Sequence, residues 1–251
     1  MRCRSLVLVA LAVAGCGGSD DPQPRAATQA PPVVYAAASL REAFPHIERA
    51  AKYNFAGSNQ LQTQIERGAP ADVFASASPK EAQGLYEAGR CDRPVAFATN
   101  VLVMLVPADN PARLRSLASL EHGPQRRIAV GAEEVPVGAY TRKLLDRMGL
   151  ASILSRNVVS NEPNVTGVTS KVALGSADAG FAYASDARAA GDRVRTIDLP
   201  ASAQPPIQYL MCAVRRPGAN TRAAQAFIEK VTSEAGQRVL ARSGFGLPAP
   251  E

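Results

Sequence analysis

Short apolar segments alternate with helical patterns along most of this chain. In the first half, the apolar segments 33–37, 52–56 and 71–77 are separated by helical patterns over 39–51 and 58–68. The same rhythm returns between residues 127 and 184. This order is typical of βαβ units, which form parallel sheets with helices packed on their faces. The sequence therefore predicts an α/β protein with two lobes.

A sequence pattern that occurs twice in the chain supports two lobes. IERGAPADVFASAS (65–78) and VALGSADAGFAYAS (172–185) each end a helix at a glycine, turn through Ala-Asp and enter a strand. Two long apolar strands, beginning near residues 101 and 207, are expected to cross between the lobes. We therefore assign residues 33–100 and 207–251 to lobe 1, and residues 101–206 to lobe 2.

The N-terminus has the pattern of a secretory signal. MRCRSLVLVALAVAGC has two arginines, a short apolar run and small residues before Cys16. VAGC resembles the lipobox of bacterial lipoproteins, so residues 1–15 are predicted to be a signal peptide and Cys16 to be lipidated. The alternatives are an ordinary signal peptide cut a few residues later, or a membrane anchor, for which the run is too short. Residues 16–32 would then be a flexible tether outside the cytoplasm.

Composition excludes several function classes. The formal charge is +6, but lysine and arginine are scattered rather than clustered, which suits an anionic ligand better than nucleic acid. Two histidines and no C-x-x-C argue against a zinc site or a histidine-based triad. Cys91 and Cys212 remain after the signal, and an oxidising compartment allows them to pair, which spacing alone does not test.

Four strand-to-helix corners carry small or hydroxyl residues. Ser39 and Ser58 stand at two of them, and the segments at Val137 and Val165 open two further helices. Helix N-termini present unpaired amides and partial positive charge, and in open α/β sheets they gather at the carboxyl ends of the strands. Four corners, two from each lobe, therefore predict an anion site in one cleft. The alternative for Ser39 is a capping box with Glu42.

The chemistry of this cleft favours a small oxyanion. Neither the Walker pattern nor G-x-G-x-x-G is present, which disfavours a nucleotide. Neutral amides and hydroxyls can hold a fully ionised oxyanion when every oxygen is paired. Tyr183, near the end of GFAYAS, could add a phenol donor, although a strand tyrosine is usually a core residue.

These motifs resemble one known family, the periplasmic molybdate-binding proteins of ABC importers. The resemblance covers about residues 33–250 and is carried by AAASL, FAGSNQL, QIERGAPADVFASA, VPVGAY, NVTGVTSKVALGSADAGFAYASDA and FGLP. It implies a type II periplasmic-binding-protein fold, a ligand cleft between lobes joined by hinge strands, and molybdate or tungstate as ligand. The implied contacts are hydroxyls and backbone amides, with no protein atom bound to the metal: Ser39, Ser58, Val137, Val165 and Tyr183.

The resemblance further implies a monomer without a cofactor or enzymatic activity. Its partner would be the membrane permease of an ABC importer, and its place the periplasm or the outer face of the cytoplasmic membrane, held there by the lipid anchor. Two features depart from the family: residues 41–54 are shorter, with Pro45 inside the helical pattern, and Val137 stands where many relatives have alanine. A mid-helix proline would bend or end the helix behind Ser39.

Other functions stay open at this point. A receptor for sulfate, phosphate or an organic acid would share the fold. A hydrolase is the remote alternative, because no G-x-S-x-G occurs and no histidine lies near a serine motif. The effector domain of a regulator would carry a DNA-binding helix-turn-helix and no lipobox.

The lipid anchor gives a direct test. Cells expressing the protein and fed a palmitate analogue should label the wild type and not Cys16→Ser. Equal labelling of the two proteins, or labelling of neither, would contradict the lipoprotein assignment.

Overall fold

The computed structural model describes residues 30–248, and the predicted signal peptide and lipidated Cys16 lie outside this range. The first sheet has the strand order β2-β1-β3-β10-β4. Its strands are β1 (Val33–Ala37), β2 (Lys52–Ala56), β3 (Val73–Ser76), β4 (Val95–Asn100) and β10 (Ile207–Ala213). β1 pairs in parallel with β2 and β3, whereas β10 runs antiparallel to β3 and β4.

The second sheet repeats this arrangement, with the order β7-β6-β8-β5-β9. Its strands are β5 (Leu102–Pro107), β6 (Ile128–Gly131), β7 (Val158–Glu162), β8 (Ala179–Tyr183) and β9 (Val194–Asp198). β6 pairs in parallel with β7 and β8, and β5 runs antiparallel to β8 and β9. The strands of the two similar segments, β3 and β8, thus lie third in their respective sheets.

Helices cover the sheets. In chain order they are α1 (Phe44–Ile47), α2 (Ser58–Glu66), α3 (Pro79–Glu87), α4 (Ala118–Glu121), α5 (Pro136–Arg147), α6 (Ser152–Asn157), α7 (Val165–Ala173), α8 (Ala184–Ala190), α9 (Thr221–Thr232) and α10 (Glu234–Arg242). Short 3-10 turns lie at Ala38–Leu40, Gly191–Arg193 and Ala201–Ala203. Among the described residues, no helix is both long and apolar enough to span a bilayer.

Two expectations need correction. The sheets are mixed rather than parallel, because β5 and β10 run antiparallel to their neighbours. These two long apolar strands also do not themselves cross between the lobes. The chain crosses at Val101 and returns through residues 199–206, and each apolar strand then joins one sheet against its neighbours. The helix predicted over 39–51 is also absent. A 3-10 turn and the short α1 replace it, and Pro45 lies in the first turn of α1, where a proline removes no helical hydrogen bond.

Two apolar clusters hold the first sheet. On one face Phe44 of α1 packs edge-on against Phe227 of α9, with 5.3 Å between ring centroids, and this cluster continues into the second lobe. The other face holds Leu61 of α2 and Leu85 of α3, together with a disulfide between Cys91 and Cys212 whose Cα atoms are 5.9 Å apart. The disulfide therefore ties the end of α3 to β10 inside a buried cluster.

This crosslink should stabilise the protein substantially, because it joins residues 121 positions apart and so restricts the unfolded chain. The double replacement Cys91→Ala with Cys212→Ala is expected to lower the free energy of unfolding by about 2–4 kcal/mol, measured by urea denaturation. Wild type treated with a reducing agent is the control and should match the variant. Equal stability of reduced and oxidised wild type would show that the crosslink does not contribute.

Candidate functional site

One pocket between the lobes is lined by all five residues predicted to contact the ligand, which are Ser39, Ser58, Val137, Val165 and Tyr183. Its empty volume is about 220 Å³, including its opening to solvent. Because that volume includes open solvent, the enclosed space is smaller still, and the pocket suits only a small ligand. No side chain that lines it carries a formal charge.

The ends of six strands build this pocket. In the first lobe, Ala37 and Ala56 end β1 and β2, and Ala77 directly follows β3. In the second lobe, the lining residues follow β6 and β7, and Tyr183 ends β8. All six strands are the mutually parallel ones, so both sheets point their carboxyl ends at the same cleft. This is the edge where open α/β sheets bind ligands.

Three of the four corners begin regular helices. Ser58 is the first residue of α2, Val165 is the first of α7, and Val137 is the second of α5. The first amides of a helix have no acceptor within that helix, and their dipoles favour negative charge. Three helix N-termini therefore present donors to one small space.

Ser39 does not form the capping box with Glu42 that was the alternative for this residue. Residues 38–40 form a 3-10 turn whose N-cap residue, Ala37, makes no side-chain cap. The Ser39 hydroxyl instead lies 2.9 Å from the Tyr209 hydroxyl of β10, and either can be the donor. The side chain of Ser39 is thus held by a strand from the other end of the chain.

Ser58 is placed to donate into the pocket. Its oxygen accepts a hydrogen bond from the Ala77 amide at 3.0 Å, and the residue is only 1% exposed. Because this bond uses a lone pair, the hydroxyl proton stays available to an acceptor in the pocket. Ser58 does not cap α2, since the N-cap residue is Gly57.

Tyr183 presents a buried hydroxyl without a partner. The residue is 1% exposed, and its oxygen makes no hydrogen bond to any other residue in 30–248. Burial, helped by nearby Tyr209 and Tyr140 and by two carboxyl groups, raises the pKa of Tyr183 well above its ordinary value. The phenol therefore remains a donor at physiological pH. An unpaired buried donor costs about 1–3 kcal/mol, which a bound acceptor would recover.

Several residues near the site were not predicted. Asn164, which lines the pocket, is the N-cap of α7, and its side chain accepts from the Gly167 amide at 3.2 Å. An asparagine directly before a helix is a signal that could have revealed it. Asn100 donates to Ser185 across the lobes at 2.9 Å, and its amide nitrogen lies 3.5 Å from the Tyr209 hydroxyl. No local pattern marks the Tyr209 and Asn100 contacts, which span more than 80 residues.

The described part of the chain offers no candidate site for a metal ion bound by protein side chains. Residues 30–248 hold no group of three or more His, Cys, Asp or Glu side chains placed to bind a metal ion. The donors at the pocket are hydroxyls and amides, which bind anions rather than cations.

Two α/β lobes, connected by two crossings and enclosing a pocket of helix N-termini, define a two-lobed protein of the type II periplasmic-binding-protein fold. The predicted fold class is therefore confirmed. The chain belongs to the family described as bacterial extracellular solute-binding protein, which matches residues 26–246.

Relatives agree on the type of protein. The molybdate-binding protein ModA of Mycobacterium tuberculosis is 38% identical over 97% of this chain and 96% of its own length. The solved substrate-binding domain of a putative molybdenum ABC transporter from Clostridium difficile is 31% identical, with a TM-score of 0.65 over 86% of this chain and 98% of that one. The Azotobacter vinelandii periplasmic molybdate-binding protein, 22% identical, has a TM-score of 0.75 over 86% of this chain and all of its own.

Proposed function

We propose that this protein captures molybdate outside the cytoplasm and delivers it to the permease of an ABC importer. The family and the molybdate-binding relatives support this function. The observation that carries it is the buried hydroxyl of Tyr183, which has no partner within residues 30–248 and lines the pocket with Ser58 and three helix N-termini. Such a site holds a small anion without a counter-charge.

The pocket favours an oxyanion that carries no proton. The hydroxyls of Ser58 and Tyr183 and the first amides of α2, α5 and α7 are all donors. Every oxygen of molybdate or tungstate accepts, so each can be paired. Hydrogen phosphate also carries a proton that needs an acceptor, which the helix amides cannot supply and only the two hydroxyl oxygens can. We therefore include tungstate among the ligands and place phosphate below both.

Closure of the lobes completes the site. Gly57 of the first lobe faces the backbone of Pro163 of the second, and a Cβ atom added at Gly57 would lie 2.5 Å from the Pro163 carbonyl oxygen. The backbone angles of Gly57 suit any residue, so glycine is needed here for space rather than conformation. The absence of a side chain at this point lets the two lobes meet around the pocket.

The remaining assignments follow from this role. The protein would act as a monomeric receptor without a cofactor or catalytic activity, tethered to the outer face of the cytoplasmic membrane through Cys16. Sulfate, another tetrahedral dianion, is the second candidate ligand, because the same donors would face its oxygens. Its smaller size would leave some donors unpaired, which weakens binding.

Tyr183→Phe should lower molybdate affinity about tenfold to a hundredfold, because a hydrogen bond to a charged group contributes about 1.5–3 kcal/mol. The ligand-free stability should not fall, since this hydroxyl has no partner in 30–248 to lose. Isothermal titration calorimetry and thermal melting measure both. Tyr86→Phe, at a 44% exposed tyrosine on α3, is the matched control and should bind as wild type. Unchanged affinity in Tyr183→Phe would show that the Tyr183 hydroxyl does not contact the ligand.

Ser58→Ala should weaken binding to a similar extent and, unlike Tyr183→Phe, should also lower ligand-free stability. The second effect arises because the Ala77 amide loses its buried acceptor, at a cost of about 1–3 kcal/mol. Urea denaturation without ligand separates this cost from the loss of binding. Unchanged molybdate affinity in Ser58→Ala would show that Ser58 has only a structural role.

Molybdate and tungstate at about 100 times their dissociation constants should each stabilise the wild type by about 2.7 kcal/mol, with a much smaller effect from sulfate. Equal stabilisation by sulfate would contradict the molybdate assignment while keeping an oxyanion receptor. No stabilisation by any of the three would contradict both.

Gly57→Ala should weaken molybdate binding at least tenfold, because the new methyl group meets the Pro163 carbonyl before the lobes close. Gly84→Ala on α3 is the matched control, since its Cβ would meet only the flexible side chain of Gln62. Calorimetric titration of both variants decides the matter. If Gly57→Ala binds like Gly84→Ala, the Gly57 contact does not limit closure.

A further inference from the structure

A buried carboxyl group lies close to the proposed oxyanion pocket. Asp186 stands in the first turn of α8, three residues after Tyr183. It is 7% exposed, and its Oδ2 atom has no hydrogen-bond partner among residues 30–248. Within the same residues, no cation forms an ion pair with it. Burial of a carboxylate with one unpaired oxygen and no paired cation disfavours its charged form relative to the neutral carboxylic acid.

Asp186 shares a cavity with a residue of the pocket. The cavity lies between the segment after β1 and helices α7 and α8, and both Asp186 and Ser39 line it. Ser39 also lines the oxyanion pocket, so the carboxyl group lies behind one wall of that pocket. Burial raises the pKa of both Tyr183 and Tyr209, and the charge of Asp186 adds to the rise in each case. An ionised Asp186 would therefore act on the hydroxyls at the site.

The charged groups around Asp186 include two arginines, neither of which is paired with it within residues 30–248. Arg41 and Glu42 line the cavity from the first lobe, and Arg193 lines it from the 3-10 turn after α8. The residues of α7 at this cavity, Thr166, Thr169 and Ser170, are neutral. The charged residues on the other side of α8 line a separate groove with β9, and they are Arg188, Arg195 and Asp198. Lys171 of α7 is paired with Glu162.

We infer that Asp186 is a positioning residue that must be protonated for tight oxyanion binding, so that its ionisation sets an upper pH limit on capture. The inference rests on the proposed function. A neutral Asp186 leaves the electrostatic field at the pocket free of opposing charge. An ionised Asp186 repels a dianion and competes for the donors that should face it.

The pH range follows from burial. Burial raises the pKa of the Asp186 carboxyl to about 8, although backbone amides of Tyr183 and Asp186 lower it in part. Affinity should therefore be constant below that range and fall above it. The tyrosines do not account for such a change, because the pKa of Tyr183 and that of Tyr209 are both raised well above the ordinary tyrosine value.

The decisive experiment titrates the purified protein with sodium molybdate between about pH 6 and about pH 9.5, in buffers of different ionisation enthalpy. Wild type should lose about tenfold or more in affinity across this range and should take up protons on binding near pH 8. Asp186→Asn should bind at every pH about as wild type does at pH 6, without proton uptake. The same pH profile in both proteins, or a flat wild-type profile, would overturn the inference.

A second measurement uses wild type alone, so it does not depend on whether a variant folds. Infrared spectroscopy of wild type should show the carbonyl band of a protonated buried carboxyl group at pH 7, and this band should disappear near pH 8. No such band at pH 7 would overturn the inference. If wild type binds molybdate with a flat profile, only the role of Asp186 fails. If wild type binds no molybdate at any pH, the proposed function fails.

Unfolding adds a third readout. The folded protein keeps a proton on Asp186 that the unfolded chain releases above its ordinary pKa of 3.8. Ligand-free wild type should therefore lose stability relative to Asp186→Asn as the pH rises from about 4 to about 8. A stability difference that does not change with pH would contradict a protonated Asp186.

Discussion

The cost of taking a dianion out of water governs this structure. A buried charge is tolerated only where enough donors replace its hydration, and here those donors are neutral. The two sheets supply them by geometry, because six parallel strands end at one cleft and helices α2, α5 and α7 begin there with their N-terminal amides. Such amides would be costly if they were buried permanently, so they belong in a cleft that water can reach until a ligand arrives.

The hinge and the site share one hydrogen-bond network. Asn100 stands at the first crossing and binds Ser185 of the second lobe, while Tyr209 lies just after the return crossing and contacts Ser39. Gln204 joins the two crossings by exchanging hydrogen bonds with the Leu102 amide and carbonyl, at 3.0 and 2.8 Å. Asn100 therefore joins Ser185 of the second lobe to the Tyr209 hydroxyl that contacts Ser39.

The sequence predicted the parts of the site that depend on local rules. Ser58 and Val165 could be placed because a strand, a small corner and an amphipathic helix follow one another within a few residues. At Ser39 the alternative drawn from S-x-x-E, a capping box, is wrong, because the hydroxyl contacts Tyr209, 170 residues away. Pro45 lies in the first turn of α1, so it marks the start of a short helix rather than the bend or end of a longer one. The outcome at Ser39 depends on a long-range contact, whereas the outcome at Pro45 is local.

Asp186 shows why electrostatics is harder to read than fold. Three residues after Tyr183, in the first turn of a helix, an aspartate is usually an ionised group that favours the helix dipole. Here burial reverses that expectation, and only the packing of α8 against its neighbours reveals it. The same burial keeps Tyr183 protonated. One physical cause thus supplies a donor at the pocket and removes a negative charge behind it, so the site can hold a dianion although no cationic side chain lines it.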